Sequence, residues 1–435
     1  MRNGDRTVES SKTPYPQDSG SSAFSKLETL SRACTDPEES VNDAIVGRAR
    51  SVIMALSSRA EAAAAVALKS ADAVDREARF PTEAFLSART QRLLGMMVPT
   101  ALGGEGASLS DVVDVCYILA RGCASTAMIF AMHQIMVAIL VRHAQNSSWH
   151  SRLLRRLANE QLLLASSTTE GMGGGDLRKS VCAVEQNGSR IALTKSATVM
   201  SYGEQADAIL TTARRSADAA TSDQVLVAFV KEDYQLEPIM NWDTLGMRGT
   251  CSSGFTLKCK GEIDQAVPVP YEKIQSHTMM PVAHLTWSAV WAGLAAAAVE
   301  RARRSVRAAA RNGQSALGAT ALTRATMSLR ALRGTLMLAL QRFEAVGMSE
   351  RELDSLEFQT AMNLLKVSSS EMATSAVMSA MQACGLSGYR NDGEFSVSRH
   401  LRDVLSSSIM INNERILASA ATSSLLIEVP HSLRG

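Results

Sequence analysis

The feature that most constrains this chain is a change in the spacing of its apolar residues, which occurs twice. From about Val41 to Glu160, apolar residues recur about every 3.6 positions, the period of a helix. Near Leu162 they begin to alternate with polar residues, which is the period of a strand, and from Met279 onward the helical spacing returns. The sequence therefore predicts a helical segment, a sheet segment and a second helical segment, in that order.

The first segment is predicted to consist of internal helices. An alanine-rich run favours one long helix, which the Phe80-Pro81 pair ends, and Ser108 or Ser110 caps a later one. The most apolar stretch, Ala127 to Val141, is too short to span a bilayer. We therefore expect a buried helix there and no membrane association.

The middle segment is predicted to hold at least five or six strands between Leu162 and about Tyr271. Two alternating runs flank Asn187-Gly188, a dipeptide that strongly indicates a hairpin turn. Four long helices follow, the last of them from Val397 to Leu426, and Gly347 ends the second.

Charge and cysteine content exclude several classes of protein. The net charge of the 435-residue chain is +2 without a long basic run, so no nucleic-acid partner is expected. The seven cysteines are scattered and form no C-x-x-C pair, so neither a metal site nor a disulfide framework is expected. The first 22 residues lack the apolar core of a signal peptide. We expect a cytoplasmic protein whose residues 1–40 are a disordered extension.

A glycine-rich loop, residues 169–176 with the sequence TEGMGGGD, stands where the sheet segment begins. It is not a phosphate loop, because Lys179-Ser180 comes three residues too late for that motif. Nor is it a dinucleotide fingerprint, because a strand-like stretch follows it where that motif requires a helix. Glycines at this density indicate a backbone that approaches a ligand closely.

In its place in the chain, this loop resembles the T-E-P-G-A-G-S-D motif of the acyl-CoA dehydrogenase family of flavoproteins. Further stretches resemble motifs of the family, in the same order along the chain. Ser201 to Asp207 resembles the T-N-x-x-x-A-D turn, and Leu245 to Ser252 resembles the L-G-x-R-x-S-x-T strand. Gln382 to Tyr389 resembles the Q-x-x-G-G-x-G-Y motif, and Arg402-Asp403 matches the R-D pair that follows it. The resemblance covers nearly all of the chain after residue 40.

The resemblance implies an α+β fold of the acyl-CoA dehydrogenase type. It comprises an N-terminal helical domain at residues 41–161, a central β domain at residues 162–275 and a C-terminal four-helix bundle at residues 276–435. The family binds FAD across subunits, so a homodimer or homotetramer is implied. An acyl thioester on coenzyme A or an acyl carrier protein is the implied substrate, and an electron-accepting flavoprotein is an implied partner.

The resemblance also assigns roles to individual residues. Two residues, Gly175 and Arg248, are implied to bind substrate. Val199, or a neighbour, replaces the aromatic residue that shields the flavin in the family. The implied cofactor-binding residues are Thr168, Thr169, Ser201, Arg311, Gln382 and Gly385.

The family's catalytic base is a Glu at one of two places, and neither carries a carboxylate here. The stretch from Ser408 to Asn413 matches one place and Thr286-Trp287 the other. Two nearby residues can substitute as catalytic bases: His284, whose ordinary pKa suits proton transfer, and Glu414, one helical turn from the first place. Glu170 matches a structural position of the family.

For some other side chains, the sequence leaves two roles open. His400 is either packed or a helix cap, and Arg248 contacts either a phosphate or a carboxylate. Trp287 and Trp291 lie four residues apart, a spacing more typical of core packing than of a ligand wall.

Three functions fit these observations. The first is a flavin-dependent α,β-dehydrogenase of an acyl thioester with a non-standard base. The second is a flavin-dependent monooxygenase on the same fold, which needs no thioester base. The third is a flavin- or partner-binding protein that has lost its chemistry. The missing Glu is consistent with the second, but the His-rich stretch of such monooxygenases is absent, since Arg402 to Asn412 contains no His. The polar residues beside the glycine loop argue against the third. We therefore expect the first function, the dehydrogenase.

Overall fold

The computed structural model describes residues 37–144, 146–170, 179–312, 318–429 and 431–432, with side chains from residue 55 onward. Residues from Ala55 on form one packed unit. The predicted extension at residues 1–40 lies almost wholly outside the described residues. Among the described residues, five helices precede the sheet region: α1 (Pro37–Glu77), α2 (Thr82–Thr90), α3 (Leu109–Gly122), α4 (Ala124–His143) and α5 (Ser148–Glu160).

Ser108, rather than Ser110, caps helix α3. Its Oγ accepts a hydrogen bond from the backbone N–H of Asp111 at 3.2 Å, and the Asp111 carboxylate accepts one from the N–H of Ser108 at 2.8 Å. This reciprocal pair satisfies two N–H groups that the start of a helix leaves without partners. Ser110 instead donates to Glu344 of a distant helix.

Helix α4 is buried, as predicted, although at 20 residues it is longer than the apolar stretch suggests. By length and composition it could cross a membrane, and so could the helical segment Tyr271–Arg311. In both, 89% of the apolar window is buried inside the fold, which is typical of core helices.

The sheet region contains seven described strands in two sheets. The first sheet has the order β1-β4-β5, with β1 parallel to β4, and the second has the order β2-β3-β7-β6 with every pair antiparallel. The predicted hairpin is confirmed, because Asn187 pairs with Arg190 and Gly188 in the turn has a φ of 61°. The strands are β1 (Leu164–Ser167), β2 (Glu185–Asn187), β3 (Arg190–Ala197), β4 (Ala208–Arg214), β5 (Gln224–Val230), β6 (Tyr234–Met240) and β7 (Gly254–Glu262).

The prediction of a strand from Leu245 to Ser252 is wrong. This stretch is a loop that contains the 3-10 turn Arg248–Thr250. Met247 and Cys251 on either side of the turn have φ values of 53° and 46°, in the left-handed region. Backbone in that region turns away from an extended strand, so the loop makes no ladder and instead reaches the helices.

Eight helices follow the sheets in the described part of the chain: α6 (Tyr271–Ile274), α7 (Met280–Arg311), α8 (Ala319–Val346), α9 (Glu350–Leu353), α10 (Leu356–Cys384), α11 (Leu386–Tyr389), α12 (Ser398–Leu405) and α13 (Asn413–Ser424). Between α6 and α7, residues Gln275–Met279 form a π-helical turn. Helix α7 is central, since it packs against α3, α4, α8 and α10. Trp291 of α7 is fully buried, so the core-packing reading holds for that residue.

The prediction of one continuous helix from Val397 to Leu426 is wrong. Helix α12 ends at Leu405, the 3-10 turn Ser406–Ser408 follows, and α13 starts only at Asn413. Ile411 has a φ of 47°, which no α-helix allows. The side chain of Asn412 then caps α13 by accepting the N–H of Glu414 at 2.8 Å.

Candidate functional site

A cavity of about 720 Å³ lies where the first sheet meets helices α4, α7, α10 and α12. Its walls come from five separate parts of the chain: α4, the strand β1 and loops of the sheet region, the π-helical turn with α7, Asn363 of α10, and the segment from α12 to Ile411. The cavity therefore exists only in the folded chain, where these parts meet.

Helix α4 supplies the apolar wall. Met128, Met132, Ile135 and Met136 line the cavity, and their spacing places them on one face of the helix. Four more methionines contribute from other elements: Met247, Met279, Met280 and Met410. Methionine side chains are flexible and polarizable, so this wall can adapt to flat or irregular apolar groups.

Hydroxyl groups form a polar part of the lining. Ser201 and Ser252 hydrogen-bond each other at 2.8 Å, and Thr250 bonds Ser252 at 2.8 Å while its own hydroxyl donates to the carbonyl oxygen of Met247. Thr168 and Thr169 also line the cavity. A lining that contains both hydroxyls and methionines suits a ligand with a polar and an apolar part.

Glu170 is the only carboxylate among the described residues that line the cavity, and the fold holds it in place. Its carboxylate accepts hydrogen bonds from the Ser180 hydroxyl and from the N–H groups of Val181 and Cys182, at 2.7 and 3.3 Å. The ammonium of Lys195, whose side chain is fully buried, lies 3.4 Å away. Burial opposes the charged form, but the Ser180 bond, the lysine and the two amides outweigh it and lower the pKa of Glu170.

His284 is the only histidine among the described lining residues. Its Nδ1 lies 2.9 Å from the carbonyl oxygen of Met362, so that nitrogen carries the hydrogen and Nε2 keeps its lone pair. Burial lowers the pKa of His284 to about 4, because the charged ring would be desolvated. The ring is therefore neutral near pH 7 and can accept or relay a proton at Nε2 alone.

The structure brings together four of the residues predicted to bind the cofactor or to act as the base. Thr168, Thr169, Ser201 and His284 all line the cavity, and Val199 lies beside them. Gly175 lies outside the described residues.

Other predicted residues do not reach the cavity within one chain. Arg311 ends α7, while Gln382 and Gly385 stand at the end of α10. Glu414 is exposed on α13. Arg248 forms an ion pair with Asp243 at 2.9 Å, so of the two predicted contacts, a phosphate or a carboxylate, the structure contains the carboxylate. The roles predicted for these residues stay predictions.

Several lining residues were missed by sequence reasoning. The methionine face of α4 carries a detectable signal, since three methionines recur at every fourth position. Trp287 was assigned mainly to packing, yet it lines the cavity and its indole N–H is buried without a partner among the described residues. Asn363 and Ile411 carry no sequence signal, because only the packing of α10 against the α12–α13 connection places them there.

The described residues fit the isoalloxazine ring of a flavin, which is flat and has one apolar and one polar edge. The methionine face suits the apolar edge, and the hydroxyls of Thr168, Thr169 and Ser201 can hydrogen-bond the other. No group of three or more potential metal ligands occurs among the residues that the structure describes.

Two family models match the chain on either side of the sheet region, and together they cover more than half of it. The N-terminal domain of acyl-CoA dehydrogenases matches residues 54–161 and the C-terminal domain matches residues 275–418. The two matches flank the described sheets, which agrees with the predicted order of helical domain, β domain and helical bundle.

Individual relatives carry several activities. The chain is 27% identical over 357 residues to L-evernosamine nitrososynthase of Micromonospora sp., covering 78% of this chain and 83% of the relative. It is 28% identical to cyclohex-1-ene-1-carbonyl-CoA dehydrogenase of Geobacter metallireducens over 41% of this chain and 47% of the relative. Among solved structures, FMN-bound TdsC of Paenibacillus sp. A11-2, a dibenzothiophene monooxygenase, superimposes with a TM-score of 0.75 at 16% identity, covering 86% of this chain and 98% of TdsC. The likeness to TdsC establishes the fold alone.

Proposed function

We propose that this chain, which belongs to the acyl-CoA dehydrogenase family of flavin-dependent oxidoreductases, is a flavin-dependent monooxygenase. The observation that carries the proposal is the state of Glu170, the one described carboxylate on the cavity wall. Its oxygens already accept hydrogen bonds from Ser180 and two backbone amides, and they form an ion pair with Lys195. No free carboxylate of the described residues is available to remove the α proton of a thioester, a step that needs a positioned base.

In such a reaction, different described residues would bind the ligands, orient the flavin and accept a proton. Reduced flavin, when bound, supplies the two electrons with which dioxygen is split between the substrate and water. The methionine face of α4 would pack on the apolar edge of the flavin and exclude water, while the hydroxyls of Thr168, Thr169 and Ser201 would orient its polar edge. Neutral His284 holds a lone pair at Nε2 that can take a proton from a substrate N–H or O–H group.

The relatives support this choice. The nitrososynthase matches over most of both chains, and TdsC, by name a monooxygenase, shares the fold over nearly its whole length. FAD is the cofactor that the sequence predicts, whereas the TdsC structure contains FMN. Both flavins therefore belong in the test.

A second candidate is the α,β-dehydrogenation of an acyl thioester on coenzyme A or an acyl carrier protein. The match to the cyclohexenecarbonyl-CoA dehydrogenase favours it. His284 would then be the base, although a pKa near 4 makes it a weak one. An electron-accepting flavoprotein partner belongs to this candidate only.

Anaerobic and aerobic spectroscopy separate the two candidates. We expect protein reconstituted with FMN or FAD to keep its oxidised spectrum when octanoyl-CoA is added without oxygen. We expect chemically reduced flavin on the protein to be reoxidised in air with transfer of ¹⁸O from ¹⁸O₂ to indole as an apolar probe. Bleaching by octanoyl-CoA would overturn the proposal in favour of the dehydrogenase.

A further inference from the structure

Residues 245–247 form part of the cavity wall, and we call them the wall loop. All three line the cavity, and Leu245 is 62% exposed, so the loop stands where the cavity wall meets solvent. Met247 has a left-handed φ of 53°, which a residue other than glycine rarely adopts unless its surroundings impose it. The position of the wall loop therefore depends on contacts from outside it.

Helix α12 holds the wall loop at three points. The guanidinium of Arg402 donates to the carbonyl oxygen of Leu245 at 3.0 Å. Gly246 lies directly on the helix backbone, since a Cβ there would stand 2.7 Å from the backbone nitrogen of Asp403. The carboxylate of Asp403 accepts a hydrogen bond from the backbone N–H of Met247 at 2.6 Å. Only this last contact depends on a group that titrates, because an arginine stays protonated.

Asp403 is buried, and no described cation forms an ion pair with its carboxylate. The two arginines of the same helix pair instead with carboxylates of α1, Arg399 with Asp72 at 3.0 Å and Arg402 with Asp75. Burial, with a smaller contribution from Asp75, raises the pKa of Asp403 to about 6, although both arginines and the bonded amide oppose the increase. The residue at this contact with the cavity wall thus titrates well above the ordinary range of an Asp.

Further ionisable groups surround this carboxylate and its two arginines. Arg301 of α7 and the Cys123 thiol at the start of α4 lie near Arg399, and Arg248 reaches α1 from the turn beside the wall loop. The arginines stay protonated at all pH values considered. Burial, with Arg399 and Arg301 nearby, holds the pKa of His400 well below its usual range, so this ring stays neutral. The charge of the arginines and of His400 is therefore the same at pH 5 and at pH 7.

The two protonation states of Asp403 favour different positions of the wall loop. With the loop closed, the buried carboxyl binds a proton more tightly than it does in water, where the pKa of an Asp is about 3.9. Protonation therefore favours closure, because the closed loop then covers no unpaired charge. This contribution to closure is complete below about pH 4 and is lost as the pH rises through about 6.

We propose that Asp403 is a positioning residue that holds the wall loop against α12 and makes this entrance to the cavity depend on pH, closed more firmly at pH 5 than at pH 7. Ligands of the cavity then enter and leave faster at neutral pH, where the carboxylate is ionised and is stabilised by contact with water. The inference goes beyond the proposed function, because it concerns a movement of the cavity wall and applies to whichever reaction the site carries out.

The backbone N–H of Met247 reports directly on this contact, in the flavin-free full chain labelled with ¹⁵N-methionine. We expect the amide proton shift of Met247 to titrate with a midpoint near pH 6. Its protection against hydrogen exchange, corrected for the intrinsic rate, should fall about tenfold from pH 5 to pH 7, as pKa values of about 6 in the closed loop and about 3.9 in the open loop require. Met200 is the matched control, because its N–H donates to the carbonyl oxygen of Ser253 at 2.9 Å, which does not titrate. Neither change should occur at Met200.

Asp403→Asn keeps the size of the side chain and an acceptor oxygen but cannot ionise. We expect the shift and the protection of the Met247 amide to be independent of pH in this variant. A wild-type shift that titrates near pH 4 or not at all, or a fall in protection that persists in Asp403→Asn, overturns the proposal. The wild-type titration decides the question by itself if the variant does not fold.

Release of riboflavin tests whether the wall loop is an entrance. Riboflavin carries no phosphate, so its charge is the same at pH 5 and at pH 7. We expect its dissociation, followed by the recovery of flavin fluorescence, to be about tenfold faster at pH 7 than at pH 5 in the wild type and equal at both in Asp403→Asn. Equal rates in the wild type would overturn the role of the loop as an entrance. A protein that binds no flavin would instead contradict the proposed function and leave the amide test intact.

Discussion

At the scale of single residues, Glu170 shows how a carboxylate at an active-site cavity can be structural. Its ion pair with Lys195 is buried, with side-chain exposures of 9% and 0%. Removing one partner of a buried pair leaves the other charge without compensation. We therefore expect Glu170→Gln to lower the free energy of unfolding by about 3 kcal/mol, measured by urea denaturation.

The matched control is Glu237→Gln. Glu237 pairs with Lys258 at 2.6 Å on the surface, where both side chains are about half exposed. Exposed pairs contribute about 1 kcal/mol or less, so this variant should unfold nearly as the wild type does. Equal effects of the two substitutions would show that Glu170 is not a buried structural anchor.

His284 and Glu414 were the two candidate bases in the sequence, and the structure separates them. His284 lines the cavity and Glu414 is exposed on α13. We expect His284→Gln to lower turnover of the reconstituted enzyme about 100-fold, the usual contribution of a general base, with the Kd for FMN changed less than about threefold.

Glu414→Gln serves as the comparison for that experiment. Because its carboxylate does not reach the cavity within one chain, we expect turnover within about twofold of the wild type. A large loss in Glu414→Gln would restore it as a catalytic candidate and would place it at a site contributed by a second subunit.

At the scale of elements, the cavity depends on the contact between the loop before the 3-10 turn Arg248–Thr250 and helix α12. A Cβ on Gly246 would lie 2.1 Å from the carbonyl oxygen of Arg402, a distance that real Cβ atoms do not reach. We expect Gly246→Ala to move the loop and α12 apart. The loss should be about 3 kcal/mol in unfolding free energy, with weaker binding of FMN measured by fluorescence quenching.

Gly334→Ala is the control for this substitution. Gly334 is exposed on α8, and a Cβ added there would meet no other atom within 4 Å. Alanine favours the helix over glycine, so this variant should gain about 1 kcal/mol of stability and bind FMN unchanged. If Gly246→Ala behaved in the same way, the close contact with α12 would not hold the cavity wall.

At the scale of the whole molecule, buried histidines predict sensitivity to acid. Burial lowers the pKa of His133, His143, His150 and His284 to about 4 and that of His400 well below its usual range. Between pH 4 and about 6.5 the unfolded chain binds more protons at these residues than the folded chain does. Their contribution to stability is thus present above pH 6.5 and is lost as the pH falls toward 4.

For a fully buried histidine whose pKa falls from about 6.5 to about 4, the free energy of unfolding decreases by about 3 kcal/mol between pH 6.5 and pH 4. Urea unfolding at pH 7 and at pH 4.5 should therefore show a marked fall in the midpoint. Ring ¹⁵N shifts should show these histidines neutral at pH 5.5. Titration of His133 and His284 near pH 6.5 would contradict the prediction.

Assembly also belongs to this scale, and the homodimer or homotetramer that the sequence suggests stays a prediction. Helix α8 exposes apolar side chains, among them Met327, Met337 and Leu338. A second copy of the chain would cover such a surface, but any partner of apolar character would do the same.

The sequence by itself determined the order of the elements, the hairpin at Asn187-Gly188 and the family. It could do so because apolar period, turn residues and motif order are local properties that follow from a few neighbouring residues. It also identified Thr168, Thr169, Ser201 and His284, which lie next to or within motifs.

Only the tertiary structure decided how the cavity is composed. The break in the last predicted helix depends on the bonds that Ile411 and Asn413 make to Lys366, 45 and 47 residues away in the chain. The loop at Gly246 takes its shape against α12 rather than from its own residues. Burial and charge balance at Glu170, His284 and Lys366 likewise depend on side chains from distant segments, and no local pattern encodes such distances.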